Sequence, residues 1–239
     1  MTKLTKDDLN RYHRQLIIPA VGEAGQEKLK GARVLVTGAG GLGSPVLMYL
    51  AAAGVGTIGI IDSDEVSTSN LQRQILYVTG DITRIKAEAA AERISHLNPL
   101  ITVESYPVRL TEENADELLA GYDIAVDCSD NYSTRYLLND ATRRAGIPMV
   151  YGAVYQFMGQ ASVFNYKGGP SYRDLFPEEI HLSGDARTGT PGVIGVLPGI
   201  IGSVEACEVI KIITGAGDIL SGRLLQIDAI SLRAEIISF

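Results

Sequence analysis

Three glycines, at positions 38, 40 and 43, follow the apolar run Arg33-Val-Leu-Val-Thr37 with the spacing GxGxxG, and Pro45 stands just behind them. In this arrangement one glycine allows a tight turn, one lets backbone approach a phosphate, and one lets helix and strand pack closely. Pro45 suits the first turn of a helix, where a missing N–H removes nothing. Bare amides at such a helix start attract anions. The segment Gly38 to Gly43, with Gly41 among them, therefore predicts a nucleotide phosphate site rather than a purely structural turn. A second apolar run, Thr57-Ile-Gly-Ile-Ile61, ends in Asp62, 19 residues beyond Gly43. A carboxylate at that place holds ribose hydroxyls.

Behind Asp62 come Asp64, then Ser69-Asn70-Leu71-Gln72-Arg73-Gln74, then Lys86 after the turn-like Thr79-Gly80-Asp81. Arginine as a planar fork and lysine as a point charge together neutralise a triphosphate. The run Ile124-Ala-Val-Asp-Cys-Ser-Asp130-Asn131 reads as a buried strand ending in two polar residues at a sheet's carboxyl edge, where α/β sites form. A carboxylate there suits a Mg²⁺ that keeps most of its waters and bridges phosphates, which makes Asp130 the candidate metal ligand. Plainer readings stand beside these. Arg73 and Lys86 could be solvated surface charges, and Asp130 could cap a helix starting near Tyr132. Cys128 and Cys207 are expected as buried core residues, the first in a strand and the second on a helix with an apolar face. His13, His96 and His181 are too scattered for a metal site. No evident hydride-transfer set accompanies the glycines, which counts against a nicotinamide oxidoreductase.

The elements that must hold these groups alternate. Strand-like runs at 33–37, 57–61, 102–106, 124–128 and 148–153 are separated by helical ones at 44–53, about 84–97, 112–120 and 132–145. This predicts an α/β fold with a Rossmann-like, doubly wound, mostly parallel sheet and right-handed crossovers. Beyond Gly152 the texture changes: 159–166 and 223–229 look like antiparallel strands that extend the sheet in the C-terminal half. Between them the apolar stretch 192–213 is broken by Glu205, Glu208 and Lys211, so it reads as a buried helix, not a membrane span. Residues 1–30 read as a helical N-terminal extension and 1–239 as one domain. The polar segment 183–190 has the composition of a mobile loop over the site.

The formal charge of −7, from 21 basic and 28 acidic residues, argues against duplex nucleic acid as a partner. A hydrophobic share of 46% provides for a sizeable core. Two cysteines without a CxxC fit a reducing, cytoplasmic compartment, and the polar first 15 residues lack the apolar core of a signal peptide.

In this order, Arg11-Tyr-His-Arg14-Gln15, Gly38-Ala-Gly-Gly-Leu-Gly43, Asp62-Ser-Asp64, Asn70-Leu-Gln-Arg73-Gln74, Lys86 and Asp127-Cys-Ser-Asp130-Asn131 resemble the ThiF/MoeB/HesA family, bacterial relatives of ubiquitin-activating enzymes. The resemblance runs from Tyr12 to Ala229. It implies an ATP-dependent adenylyltransferase that activates the C-terminal glycine carboxylate of a ubiquitin-fold sulfur-carrier protein ending in Gly-Gly, for thiamine or molybdopterin biosynthesis. Arg14, Arg73, Lys86 and Asp130 with its Mg²⁺ would be the catalytic groups. Gly38, Gly40, Gly41, Gly43, Asp62, Asp64, Ser69, Asn70, Gln74 and Asn131 would hold the nucleotide. The family also implies a homodimer in which Arg14 acts in trans on the partner subunit's nucleotide.

Two departures from the family pattern matter. Members commonly carry two CxxC pairs for a structural zinc, but Ser171 and Asp174 occupy the first pair's places and no cysteine follows Ala229. Ser and Asp do not make a tetrahedral thiolate site, so no zinc is expected. The loop cysteine of many relatives falls here on Thr188, which leaves sulfur transfer to other proteins. The competing readings are a non-catalytic relative that binds a ubiquitin-fold partner, and adenylation of a small carboxylate.

Overall fold

Short runs of Val, Ile and Leu bounded by turns become strands buried on both faces. In the computed structural model, which describes residues 3–177 and 192–239, these are β1 (Arg33–Thr37), β2 (Thr57–Ile61), β4 (Ile124–Asp127) and β5 (Met149–Tyr155), while the more polar β3 (Thr102–Tyr106) is a half-buried edge strand. They lie parallel in the order β3-β2-β1-β4-β5. The sheet continues antiparallel through β6 (Met158–Phe164), β7 (Arg223–Asp228) and β8 (Arg233–Ser238), giving eight strands. The expected loop at 183–190, Thr188 and His181 lie outside the described residues.

Two short N-terminal helices, α1 (Lys6–Arg11) and α2 (His13–Leu16), precede β1. Thr5 and Asp8 form a capping box on α1, and the buried Asp8 carboxylate also pairs with Lys30. The Tyr12 hydroxyl accepts from Asn98 Nδ2 at 2.8 Å, and Gln15 Nε2 donates to the Ala53 carbonyl at 3.0 Å. The extension is thus pinned to the body of the protein, while Arg14 on α2 faces solvent.

Side chains alternate across the sheet: Val34 and Val36 enter one core, Leu35 the other. The first core is covered by α3 (Gly22–Gly31), α4 (Gly43–Ala53), α5 (Lys86–Leu97) and, from the C-terminal half, the long helix 196–214. The second is covered by α6 (Glu112–Leu119), α7 (Tyr132–Ala145) and the short α8 (Tyr172–Leu175). The helix after β1 and the helix after β4 therefore leave on opposite faces, and a crevice opens between the carboxyl ends of these two neighbouring strands.

The long helix, α9 (Val196–Thr214), buries Glu205 and Glu208, and Cys207 is exposed rather than buried. The way this almost wholly apolar helix packs decides it: Val196, Ile200, Ser203 and Cys207 make the outer stripe, while Leu197, Ile201, Ala206 and Val209 face the core. Cys128 is buried as expected, one residue past the end of β4. Among the described residues no helix is long and apolar enough to cross a membrane. Ser171 and Asp174 close on each other, the Ser171 amide donating to the Asp174 carboxylate at 2.7 Å to cap α8.

Candidate active site

The crevice opens into a cavity of about 1000 Å³ walled by both halves of the sheet, room enough for a nucleotide and a second reactant. Gly38 sits at φ +96°, a backbone state that a side chain disfavours, and a Cβ there would lie 2.7 Å from the Cys128 carbonyl oxygen. A Cβ on Gly43 would lie 2.0 Å from the Gly38 carbonyl oxygen. The outer glycines thus close the turn, and Gly40 and Gly41 are left facing the cavity. The Tyr77 hydroxyl fixes this turn to the head of α5, lying 2.8 Å from the Ala39 carbonyl and 3.2 Å from that of Lys86.

Asp62 follows β2 directly at the cavity wall, and its carboxylate accepts from the amides of Ala39 at 2.8 Å and Asp64 at 2.9 Å. Burial pushes its pKa up, with the Lys86 charge opposing. Both oxygens keep lone pairs free to accept further hydrogen bonds. Lys86, the first residue of α5, is buried along its length and its Nζ donates to Asp64 at 2.9 Å. Arg73 lines the same cavity and donates to the Ser69 carbonyl at 3.1 Å. Gln74 is buried beside Gly40, and its Oε1 has no partner among the described residues.

At the end of β4, Asp130 is exposed on the wall. The helix cap is Asn131 rather than Asp130: its Oδ1 accepts from the Thr134 amide at 2.9 Å. The Asp130 carboxylate is therefore free of that duty. Its one hydrogen bond among the described residues is a long 3.5 Å contact from Asn131 Nδ2.

The structure gathers Gly38, Gly40, Gly41, Asp62, Asp64, Arg73, Gln74, Lys86, Asp130 and Asn131 around one cavity. Gly43 stands behind it as packing. Ser69 and Asn70 are not on the wall: they form a short 3₁₀ turn whose Asn70 Oδ1 accepts from Ser67, and they brace Arg73 from behind. Arg14 is also absent from the cavity of its own chain. The residue missed in the sequence is Arg135. It lines the cavity from the first turn of α7, donates to the Ser129 carbonyl at 3.0 Å and approaches the fully buried Asp127 at 3.5 Å. The signal was its place four residues beyond the Asn131 cap, which turns it back toward the strand end.

A crevice at the switch point of a doubly wound sheet is where α/β proteins of this class bind their ligands, and that is the class the fold defines. The chain belongs to the ThiF family, whose sequence profile matches residues 12–238. It is 52% identical over 231 residues to the sulfur carrier protein adenylyltransferase of Thermus thermophilus, covering 95% of this chain and 85% of that one. It is 45% identical over 236 residues to the SAMP-activating enzyme E1 of Haloferax volcanii, covering 99% and 87%. The probable adenylyltransferase/sulfurtransferase MoeZ of Mycobacterium tuberculosis is 49% identical over 233 residues, and there the chain spans 59% of the relative's length. Among solved structures, Escherichia coli MccB with AMPCPP and MccA superposes with a TM-score of 0.85 at 22% identity, covering 96% of this chain and 71% of that one. That likeness speaks for the fold alone.

Proposed function

We propose that this chain is an ATP-dependent adenylyltransferase that activates the C-terminal carboxylate of a ubiquitin-fold sulfur-carrier protein. One observation carries the reading: the glycine turn, Arg73, Lys86 and Asp130 meet in one cavity, in a chain 52% identical to a sulfur carrier protein adenylyltransferase.

A C-terminal carboxylate, with a pKa of about 3.3–3.7, is ionised at neutral pH and needs no general base. Its oxygen attacks the α-phosphorus of ATP, forming an acyl-adenylate as the bond to the departing pyrophosphate breaks. The protein's task is to hold two anions in line and offset the charge that develops. Gly40 and Gly41 let the triphosphate approach backbone amides, and Asp62 holds the ribose. Arg73 and Lys86 neutralise the phosphates, Lys86 exchanging Asp64 for phosphate oxygen. Asp130 fits a Mg²⁺ site because its carboxylate faces the cavity and is not used as a helix cap. An ion that takes one or two carboxylates and keeps its waters would supply further charge neutralisation there. Beyond Asp130 the wall becomes apolar, with Val154, Tyr155, Met158 and Phe176, and this part receives the Gly-Gly tail.

The chain works as a homodimer with Arg14 acting in trans. Two features support this: Arg14 is exposed and off its own cavity, and an apolar groove of about 330 Å³ lies beside Arg73, formed by Ile75, Val196 and Ile200. A second copy is the simplest cover for such a groove and would build two shared sites. With Ser171 and Asp174 engaged in capping α8, the protein needs no zinc. It acts in the cytoplasm on a carrier of thiamine or molybdopterin synthesis, as one adenylating domain.

Incubation with Mg-ATP, labelled pyrophosphate and a carrier ending in Gly-Gly tests the reading. Label returns to ATP with the intact carrier and not with one lacking its last glycine. Exchange driven equally by small carboxylates would point to a small-molecule substrate, and no exchange with any carboxylate would leave a binding protein.

A further inference from the structure

Beneath the cavity floor lies a set of buried polar groups that the adenylation chemistry does not use. Glu205 of α9 is fully buried and reaches the sheet at Gly152 of β5, where a Cβ would lie 2.4 Å from the Glu205 Cδ. Only a residue without a side chain leaves that notch. Through it the Glu205 carboxyl meets Cys128, whose thiol donates to Oε1 at 3.9 Å. Oε2 of Glu205 has no hydrogen-bond partner among the described residues. Burial, together with nearby Asp127, pushes the pKa of this carboxyl well above the usual range, and the side chain of the same shape is glutamine.

Cys128 is the first residue of the segment that leads to Asp130, and the next steps are clamped on both sides. Oδ1 of Asp127 accepts from the Ser129 amide at 3.0 Å and from its hydroxyl at 2.6 Å. The Ser129 carbonyl accepts from Arg135 at 3.0 Å, and Arg135 Nε lies 3.5 Å from Asp127 Oδ2. On the far side, Asn131 is fixed as the cap of α7. Asp130 therefore stands between two anchored residues, and what anchors the nearer one touches α9 through Cys128 and Glu205.

We propose that Glu205 is a positioning residue for Asp130: by filling the Gly152 notch and holding Cys128, it makes the seating of α9 set where the Asp130 carboxylate stands. The proposal rests on the reading of Asp130 as the metal-holding carboxylate. Groups that orient a ligand from behind it typically change metal affinity about 10- to 100-fold when removed. Leucine fills the notch with a side chain of comparable size, removes an Oε2 that is buried without a partner among the described residues, and leaves only a weak thiol donor unpaired. Glu205→Leu thus separates positioning from packing.

Free Mn²⁺ is measured by electron paramagnetic resonance against the full-length protein with a non-hydrolysable ATP analogue present. Nucleotide affinity is measured separately without metal. Glu205→Leu is expected to melt near the wild-type temperature, weaken Mn²⁺ binding by about tenfold, and change metal-free nucleotide binding by less than about twofold. Glu205→Gln, which keeps an acceptor for the thiol, restores Mn²⁺ binding to within about twofold. Cys128→Ala leaves Glu205 in place but removes the thiol it holds, and gives the same weakening, so the proposal stays testable if the leucine variant does not fold. Asp130→Ala separates the two claims. If it leaves Mn²⁺ binding unchanged, the metal reading falls and this inference with it. If it abolishes binding while Glu205→Leu and Cys128→Ala bind as wild type, or if the glutamine variant is as weak as leucine, the positioning role alone is overturned.

Discussion

Lys86 Nζ lies 2.9 Å from the Asp64 carboxylate, and the two ends of this pair differ sharply: the lysine side chain is 7% exposed and the aspartate 71%. The lysine is held at the cavity wall by a partner that water can replace, so its charge can pass to an incoming phosphate. A pair this exposed contributes less than about 1 kcal/mol, so Asp64→Asn lowers the melting temperature by under about 4 °C. Lys86→Ala and Arg73→Ala each lower carrier-dependent pyrophosphate exchange about 10²–10³-fold, the usual cost of one charge-stabilising donor. A loss below tenfold in both would remove these residues from the chemistry.

Arg14 sits on an extension pinned by Tyr12, Gln15 and Asp8, with its own side chain in solvent. Arg14→Ala and Lys86→Ala chains are each nearly inactive alone. Mixed under conditions of subunit exchange, they regain about a quarter of wild-type activity per total site, because half the dimers are mixed and each has one intact site. No recovery despite demonstrated exchange would place Arg14 in its own subunit's chemistry or outside the chemistry altogether.

The same pinning makes a pH prediction. Burial alone would raise the Asp8 carboxyl, but hydrogen bonds from Lys30 and Thr5 outweigh it and hold the pKa below its ordinary value. A carboxylate depressed by folding adds stability above its unfolded pKa of about 3.9 and loses it as the pH falls through the lower, folded value. Asp8→Asn therefore lowers the melting temperature at pH 7 by roughly 3–10 °C, the loss of charge-assisted hydrogen bonds in a chain of this size. The gap to wild type closes as the pH drops below about 4. A gap constant with pH would show that the carboxylate charge plays no part.

Ser171 and Asp174 cap α8 through the 2.7 Å bond from the Ser171 amide. Metal analysis of the purified protein is expected to find well under one zinc per chain, and a chelator to leave the melting temperature unchanged. A thiolate zinc contributes about 10 kcal/mol or more to folding, so a bound ion would show plainly.

Much of this architecture is legible in the sequence because it is local. The runs that become β1 and β2 are mostly apolar or β-branched and bounded by turns, and the glycine spacing places the phosphate cradle without any knowledge of packing. What stayed hidden is non-local. β8 begins Arg-Ala-Glu and is exposed along its length, so only its pairing with β7 makes it a strand. The second role of Asn131, as cap, freed Asp130, and the sequence offers two equally good cap residues there. Cys207 lies in a helix apolar on nearly every side, where periodicity cannot choose the outward face. Glu205 looks like a surface charge until Gly152, some fifty residues earlier, is seen to leave room for it.

The most direct test of the central claim is the intact mass of a Gly-Gly-ended carrier after brief incubation with the protein and Mg-ATP. The account predicts a carrier heavier by one adenylyl group, an adduct that hydroxylamine removes and that does not form with Lys86→Ala. A carrier of unchanged mass, under conditions where the same preparation returns labelled pyrophosphate to ATP, would contradict it.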